Sequence, residues 1–134
     1  EEWDSFDLVS PEEITIEVKS SSYLQSWAQS KLSSISFGIQ PTSALHLHTN
    51  KYSEIKRRQA DVYIFCVYAH QYQETANPLN IEHWNFYAVP TSVLNESCKD
   101  QKSITLSRLL GLNPLKPRYN EIHSAVIKCT TYPA

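Results

Sequence analysis

Two carboxylates and an amine stand near the start of the chain at spacings that could do chemistry. In Ile14-Thr15-Ile16-Glu17-Val18-Lys19 apolar and polar residues alternate, the period of a strand with one covered face. On such a strand Glu17 and Lys19 point to one side about 7 Å apart, and Ile14, Ile16 and Val18 point to the other. Asp7 precedes them by a distance that suits a short hairpin, which would bring a second carboxylate alongside Glu17. Carboxylates in this arrangement hold Mg²⁺ through hard oxygen ligands. The lysine orients an attacking water or neutralises charge developing on a phosphate, the requirements of metal-assisted phosphodiester hydrolysis. Asp4 competes with Asp7, but on an unbroken strand residues three apart face opposite sides, so only one of the two reaches the ion.

A Glu-x-Lys tripeptide is common, expected in about half of chains this long on composition alone, so the elements around it have to carry the argument. The segment from Trp3 to Val9 reads as a strand, Ser10-Pro11-Glu12 as a turn, and the Ile14 to Lys19 alternation as the returning strand. Leu24, Trp27, Ala28 and Leu32 recur at helical spacing and predict an amphipathic helix over residues 21–32, packed on the apolar face of the hairpin. Ile35, Phe37 and Ile39 alternate as a third strand ending before Pro41, and the polar residues 40–58 read as a long surface loop. Val62 to Ala69 is almost continuously apolar, as expected for a central strand covered on both faces. After a polar connection over residues 70–80, Trp84 to Val89 make a strand stopped by Pro90. Thr91 or Ser92 caps a short helix through Leu94, a second helix near Leu106 to Leu110 ends at Gly111, and Tyr119, Ile122, Val126 and Cys129 mark a C-terminal helix. The order predicts an α/β fold with a mixed central sheet flanked by helices.

With 134 residues, 41% hydrophobic and 19% charged, the chain has the composition of one globular domain able to bury a core. No apolar run approaches the roughly 18 to 20 residues that cross a bilayer, and no membrane partner is expected. Cys66, Cys98 and Cys129 are odd in number and lack metal-ligand spacing, which fits a reducing cytoplasm, with Cys66 packing as a small hydrophobe. The net charge of −2 is unevenly spread: residues 1–18 hold seven acids and no Lys or Arg, and residues 19–134 hold twelve bases against seven acids. The acidic pole coincides with the proposed metal site. Lys51, Lys56, Arg57 and Arg58 could meet phosphates nearby, the competing reading being that Lys56-Arg57-Arg58 is a solvated turn before the next strand. His46 and His48 are spaced i, i+2, but no third ligand follows to complete a zinc site. His70 closes the central strand, where a structural role competes with one at a substrate. Tyr68, Tyr72 and Trp84 could stack on bases or simply pack.

The run Asp7-Leu8-Val9, then Ile16-Glu17-Val18-Lys19-Ser20-Ser21, then Tyr23-Leu24-Gln25-Ser26-Trp27, resembles the PD-(D/E)xK nuclease superfamily of restriction-endonuclease-like fold, and in particular a group of uncharacterised bacterial proteins. The resemblance continues through Arg58 to Phe65 and Trp84 to Thr91. It implies a single nuclease domain over residues 1–134 that hydrolyses DNA by in-line attack of an Mg-bound water, with Mn²⁺ as the substitute ion. Asp7 and Glu17 would be ligands, joined by the Val18 carbonyl, with Lys19 as the catalytic lysine. Gln25 matches a polar position beside the site, one turn into the following helix, where its amide would hold the lysine or a phosphate oxygen. A structural aspartate at Asp7 and a surface Glu17–Lys19 pair are the competing readings. Superfamily members usually carry a helix and a further acid before the aspartate strand, and this chain begins almost at that strand. A fragment lacking its first helix, and a catalytically inactive nuclease-fold module that binds nucleic acid or serves assembly, therefore stand as alternatives. Cutting both strands of a duplex favours a homodimer.

Overall fold

The computed structural model describes residues 6–25, 31–46 and 51–131. Its centre is a four-stranded mixed sheet in the order β1 (Leu8–Val9), β2 (Thr15–Ser22), β6 (Val62–Tyr68), β7 (Trp84–Pro90). β1 is antiparallel to β2, β2 parallel to β6, and β6 antiparallel to β7. The turn before β2 is closed by Ser10, whose Oγ accepts from the backbone of Glu12 at 3.2 Å and of Ile14 at 3.1 Å, a local use of serine that competes with continued strand. Asp61 fixes the β2–β6 register: its Oδ2 accepts from Thr15 N at 3.0 Å, and its own N–H donates to the Thr15 hydroxyl at 2.9 Å.

The crossover from β2 to β6 carries β3 (Ser36–Gly38) and the antiparallel pair β4 (Thr42–His46) and β5 (Lys51–Arg57). β3 pairs outside the main sheet, with β8 (Ser103–Thr105). Among the described residues, the α-helices α1 (Thr91–Cys98), α2 (Leu106–Gly111) and α3 (Ile122–Thr131) follow the sheet.

Two apolar layers enclose the sheet. On one face Tyr63, Phe65, Val67, Tyr87 and Val89 pack with Phe37 and Ile39, with Leu94 and Cys98 of α1, and with Leu109 of α2. On the other face Ile14, Ile16, Val62, Ile64 and Ala88 meet Ala125, Val126 and Cys129 of α3. The alternation read along Ile14, Ile16 and Val18 thus faces α3.

The sequence expectations need correcting in several places. The helix expected over residues 21–32 is not formed where the chain is described. Ser21 and Ser22 continue the parallel ladder opposite Val67 and Tyr68, and the Ser22 hydroxyl then accepts from Leu24 N at 3.0 Å, closing a turn. Residues 26–30, with Trp27 and Ala28, lie outside the described residues. At Ser21 and Ser22 tertiary pairing outweighs local propensity. The expected loop over 40–58 is instead the β4–β5 hairpin, its base held by Gln59 Nε2 donating to Thr42 O at 2.8 Å and Arg57 O at 2.9 Å. Of the strand expected from Trp3 to Val9, only Leu8–Val9 is regular within the described part. α1 runs on to Cys98, with Thr91 as its first helical residue rather than its cap. Cys66 is half-buried, and burial pushes its thiol up to about 11, as befits a packed cysteine.

Candidate active site

Asp7 sits one residue before β1. Its N–H donates to Ile16 O at 3.0 Å, and its carboxylate reaches along the edge of β2 to accept Val18 N–H at Oδ2, 2.8 Å away. A residue's N–H and C=O leave a strand on the same side, so the Val18 carbonyl also opens toward the Asp7 side of β2.

Glu17 and Lys19 project from the sheet face shared with Tyr63 and Phe65, their partners in the parallel ladder. Lys19 Nζ lies 3.2 Å from Glu17 Oε2, the side chains 33% and 21% exposed. Partial burial raises the Glu17 carboxyl above its ordinary value. Lys19 pulls it back, and the charge and hydrogen bonding of Asp7 push it up again. Asp7 and Glu17 therefore act on each other, and Lys19 offsets only part of the charge they concentrate. Tyr63, opposite Glu17, is pushed up to about 12, chiefly by burial and then by the Glu17 charge, against the pull of Arg58.

Two oxygen-donor side chains and a backbone carbonyl at one strand edge fit a hard divalent cation that keeps several waters. No group of three or more His, Cys, Asp or Glu that could hold a metal occurs among the described residues, so the protein would supply only part of such a shell.

Gln25 is not on a helix. It lies past the end of β2, where its Nε2 donates to Ser22 O at 3.1 Å and its backbone O accepts from Gln73 Nε2 at 3.2 Å. It thereby ties the end of β2 to the β6–β7 connection. Asp4 and His48 lie outside the described residues, and His46 is on β4. His70 stacks on His83, ring centres 4.0 Å apart and planes within 6°, and its Nε2 contacts the Thr75 hydroxyl.

Neither reading given for Arg58 holds. It is 5% exposed and donates to Ile39 O at 2.7 Å, Asn95 Oδ1 at 2.9 Å and Gln101 O at 3.0 Å. It ties the segment between β5 and β6 to the end of β3, to α1 and to the turn after α1, out of solvent, while Lys56 and Arg57 remain exposed. The sequence reading passed over Tyr63. Its signal was a hydroxyl near the start of a mostly apolar strand that ends on a second one at Tyr68, which burial alone does not distinguish from packing.

The profile of the family described as bacteriophage T4 endonuclease IV matches residues 3–108 of the chain, most of its length and all of the residues just described. No curated protein and no solved structure is significantly similar to it.

Proposed function

Since the chain belongs to the bacteriophage T4 endonuclease IV family, a nuclease family, we propose that it is a metal-dependent endodeoxyribonuclease working from Asp7, Glu17 and Lys19. The observation that carries this reading is the meeting of the Asp7 carboxylate with the Glu17–Lys19 pair across the edge of β2. The finer assignment to the PD-(D/E)xK superfamily is also proposed. Its support is an antiparallel strand pair bearing the carboxylates, followed by a parallel crossover to a buried central strand.

Asp7, Glu17 and the Val18 carbonyl would hold Mg²⁺, or Mn²⁺ in its place. The ion would supply Lewis-acid charge at the scissile phosphate and lower the pKa of a bound water. Lys19, a compact cation on a flexible stem, shifts from Glu17 toward the phosphate and balances the charge that builds up there as the attacking oxygen arrives. Glu17 helps to hold Lys19 on the reactive face until substrate enters. Gln25 acts as a positioning residue, bracing the end of the strand that carries Lys19.

Supercoiled plasmid incubated with Mg²⁺, Mn²⁺ or EDTA tests the proposal, with parent and Lys19→Ala purified identically. Metal-dependent nicking or linearisation, lost in the variant, is expected. Cutting in EDTA, or full cutting by Lys19→Ala, would overturn it.

A second reading has its own observation. Asp7 Oδ2 already terminates the β1–β2 ladder and Lys19 is already paired, so the same contacts also serve a non-catalytic module that binds nucleic acid. Salt-dependent DNA binding that survives Asp7→Ala and Glu17→Ala, with no product under either metal, would establish that reading instead.

A further inference from the structure

On the face of the sheet opposite Glu17, α3 seals Ile14, Ile16, Val62, Ile64 and Ala88 but leaves the other end of the strands open. There Ser20, Cys66, Phe86 and Trp84 floor an apolar cavity of about 270 Å³ walled by Ile81 and Tyr119. A second cavity of about 680 Å³ shares Ile81, Trp84, Phe86 and Tyr119 and continues to Lys116 and Arg118. The two form one groove across β2, β6 and β7, apolar at the β2 end and cationic at the β7 edge. Tyr119 is 58% exposed, and its ring lies 5.9 Å from that of Phe86. Ile81 is 45% exposed beside it. An aromatic left this open has not been spent on the core.

We propose that this groove binds an unpaired nucleotide of a nucleic acid strand, its base against Trp84 and Tyr119 and its phosphate against Lys116 and Arg118. The proposal rests on the nuclease reading for the kind of polymer and adds where a flanking part of the strand is held. Aromatic faces accept any base, and cations beside them track the backbone, the combination that single-strand binders use. Bases in a duplex are already stacked on each other, so only an unpaired one can enter. Of the side chains lining the larger cavity, Glu82 alone is acidic, against two cations, which favours a phosphate over an acidic peptide. Ser20 follows Lys19 directly and faces the opposite side of β2, so the groove begins across the strand from the proposed reacting site. Its cationic end belongs to residues 115–120, beyond the stretch that the family profile matches.

Fluorescence anisotropy of labelled eight-residue oligothymidylate and oligouridylate, in EDTA to prevent turnover, tests the proposal on the whole chain. Tyr119→Ala and the double variant Lys116→Ala, Arg118→Ala are compared with the parent, with a duplex of the same length as competitor. Tyr119→Ala should weaken single-strand binding roughly 5- to 100-fold. The double variant should weaken it and flatten its salt dependence, and the duplex should compete poorly. Tyr119 is largely in solvent, so an unchanged melting temperature is expected, and Trp84→Phe provides a second, apolarity-preserving test of the stacking wall. Affinities of Tyr119→Ala and Trp84→Phe within twofold of the parent, or equal competition by duplex, would overturn the proposal. If the parent binds through Tyr119 but never cuts plasmid, the groove stands and the nuclease reading falls. If it cuts plasmid and Tyr119→Ala changes nothing, the reverse holds.

Discussion

Arg58 and the Asp7–Glu17–Lys19 group both hold charge against the same apolar layer, and Tyr63 feels both of them. They are built in opposite ways. Arg58 is buried, and its guanidinium donates to three neutral acceptors on three separate segments. A buried charge satisfied from all sides is a structural tie. Glu17 is only partly buried, shares its surroundings with a second carboxylate and has one cation beside it. Groups perturbed in this way gather at functional sites, and the imbalance is the ground on which a cation and phosphate site is proposed there. The difference teaches that burial together with hydrogen-bond satisfaction marks a charge as structural, and that a charge lacking both is where a functional role is to be tested.

The comparison breaks most sharply on cleavage. Lys19→Ala and Glu17→Ala should each lower plasmid cutting at least about a hundredfold, the scale of removing one group that stabilises transition-state charge. Both should keep the parent's circular dichroism, because neither side chain belongs to the apolar core. Loss of fold in either variant would turn the site into a structural tie like Arg58.

Arg58→Ala should do the converse. Removing the guanidinium leaves Ile39 O, Asn95 Oδ1 and Gln101 O without their donor and opens space in the core. A loss of about 3 kcal/mol is expected, read as a fall in urea midpoint at unchanged slope. Lys56→Ala and Arg57→Ala, exposed on β5, should stay within about 0.5 kcal/mol of the parent. If all three behaved alike, the burial argument for Arg58 would fail.

Legibility along the sequence follows the same division. The hairpin turn, β6, β7, the end of α2 at Gly111 and α3 were readable, because each has a strong period or a punctuating residue that acts locally. The meeting of Asp7, Glu17 and Lys19 in space was readable for the same reason, since they lie within ten or twelve residues of one another across a single turn. The crossover from residue 23 to 60 was readable only at β3, where Ile35, Phe37 and Ile39 alternate. β4 and β5 mix polar and apolar residues without a regular period of two, and Ser20 to Ser22 become strand only by pairing with Cys66 to Tyr68. Arg58 could not be assigned from sequence either, since its acceptors lie 19, 37 and 43 residues away. The groove at Tyr119 depends on where α3 stops covering the sheet, which periodicity does not encode.

A smaller effect concerns the other side of the Asp61 junction. Thr91, at the start of α1, is 6% exposed, and its hydroxyl is buried with no hydrogen-bond partner. Thr91→Val keeps the shape and removes the unsatisfied oxygen, so a gain of about 1 kcal/mol is expected by urea denaturation. A loss of similar size would mean that the hydroxyl is satisfied in solution, and that burial without partners is a poorer guide than the Arg58 comparison implies.

The smallest effect tests the imbalance at Glu17 directly. Its carboxyl is raised above 4.5 in the folded chain, by burial first, with Asp7 adding and Lys19 opposing. A group that binds its proton more tightly when folded favours the folded state while protonated. It loses that advantage as pH rises from the unfolded value through the folded one. Glu17→Gln has no proton to lose. In EDTA the two proteins should therefore melt together below pH 4.5, and the variant should melt higher above that window, by a modest margin because the side chain is partly solvated and Lys19 already offsets some of the charge. Adding Mg²⁺ at neutral pH should raise the parent's melting temperature and leave the variant's unchanged, since a ligand stabilises only the state that binds it. A parent that is the more stable of the two at neutral pH without metal would show that Lys19 fully balances Glu17. The pair would then be a closed ion pair, as settled as Arg58, with nothing left over for a cation to compensate.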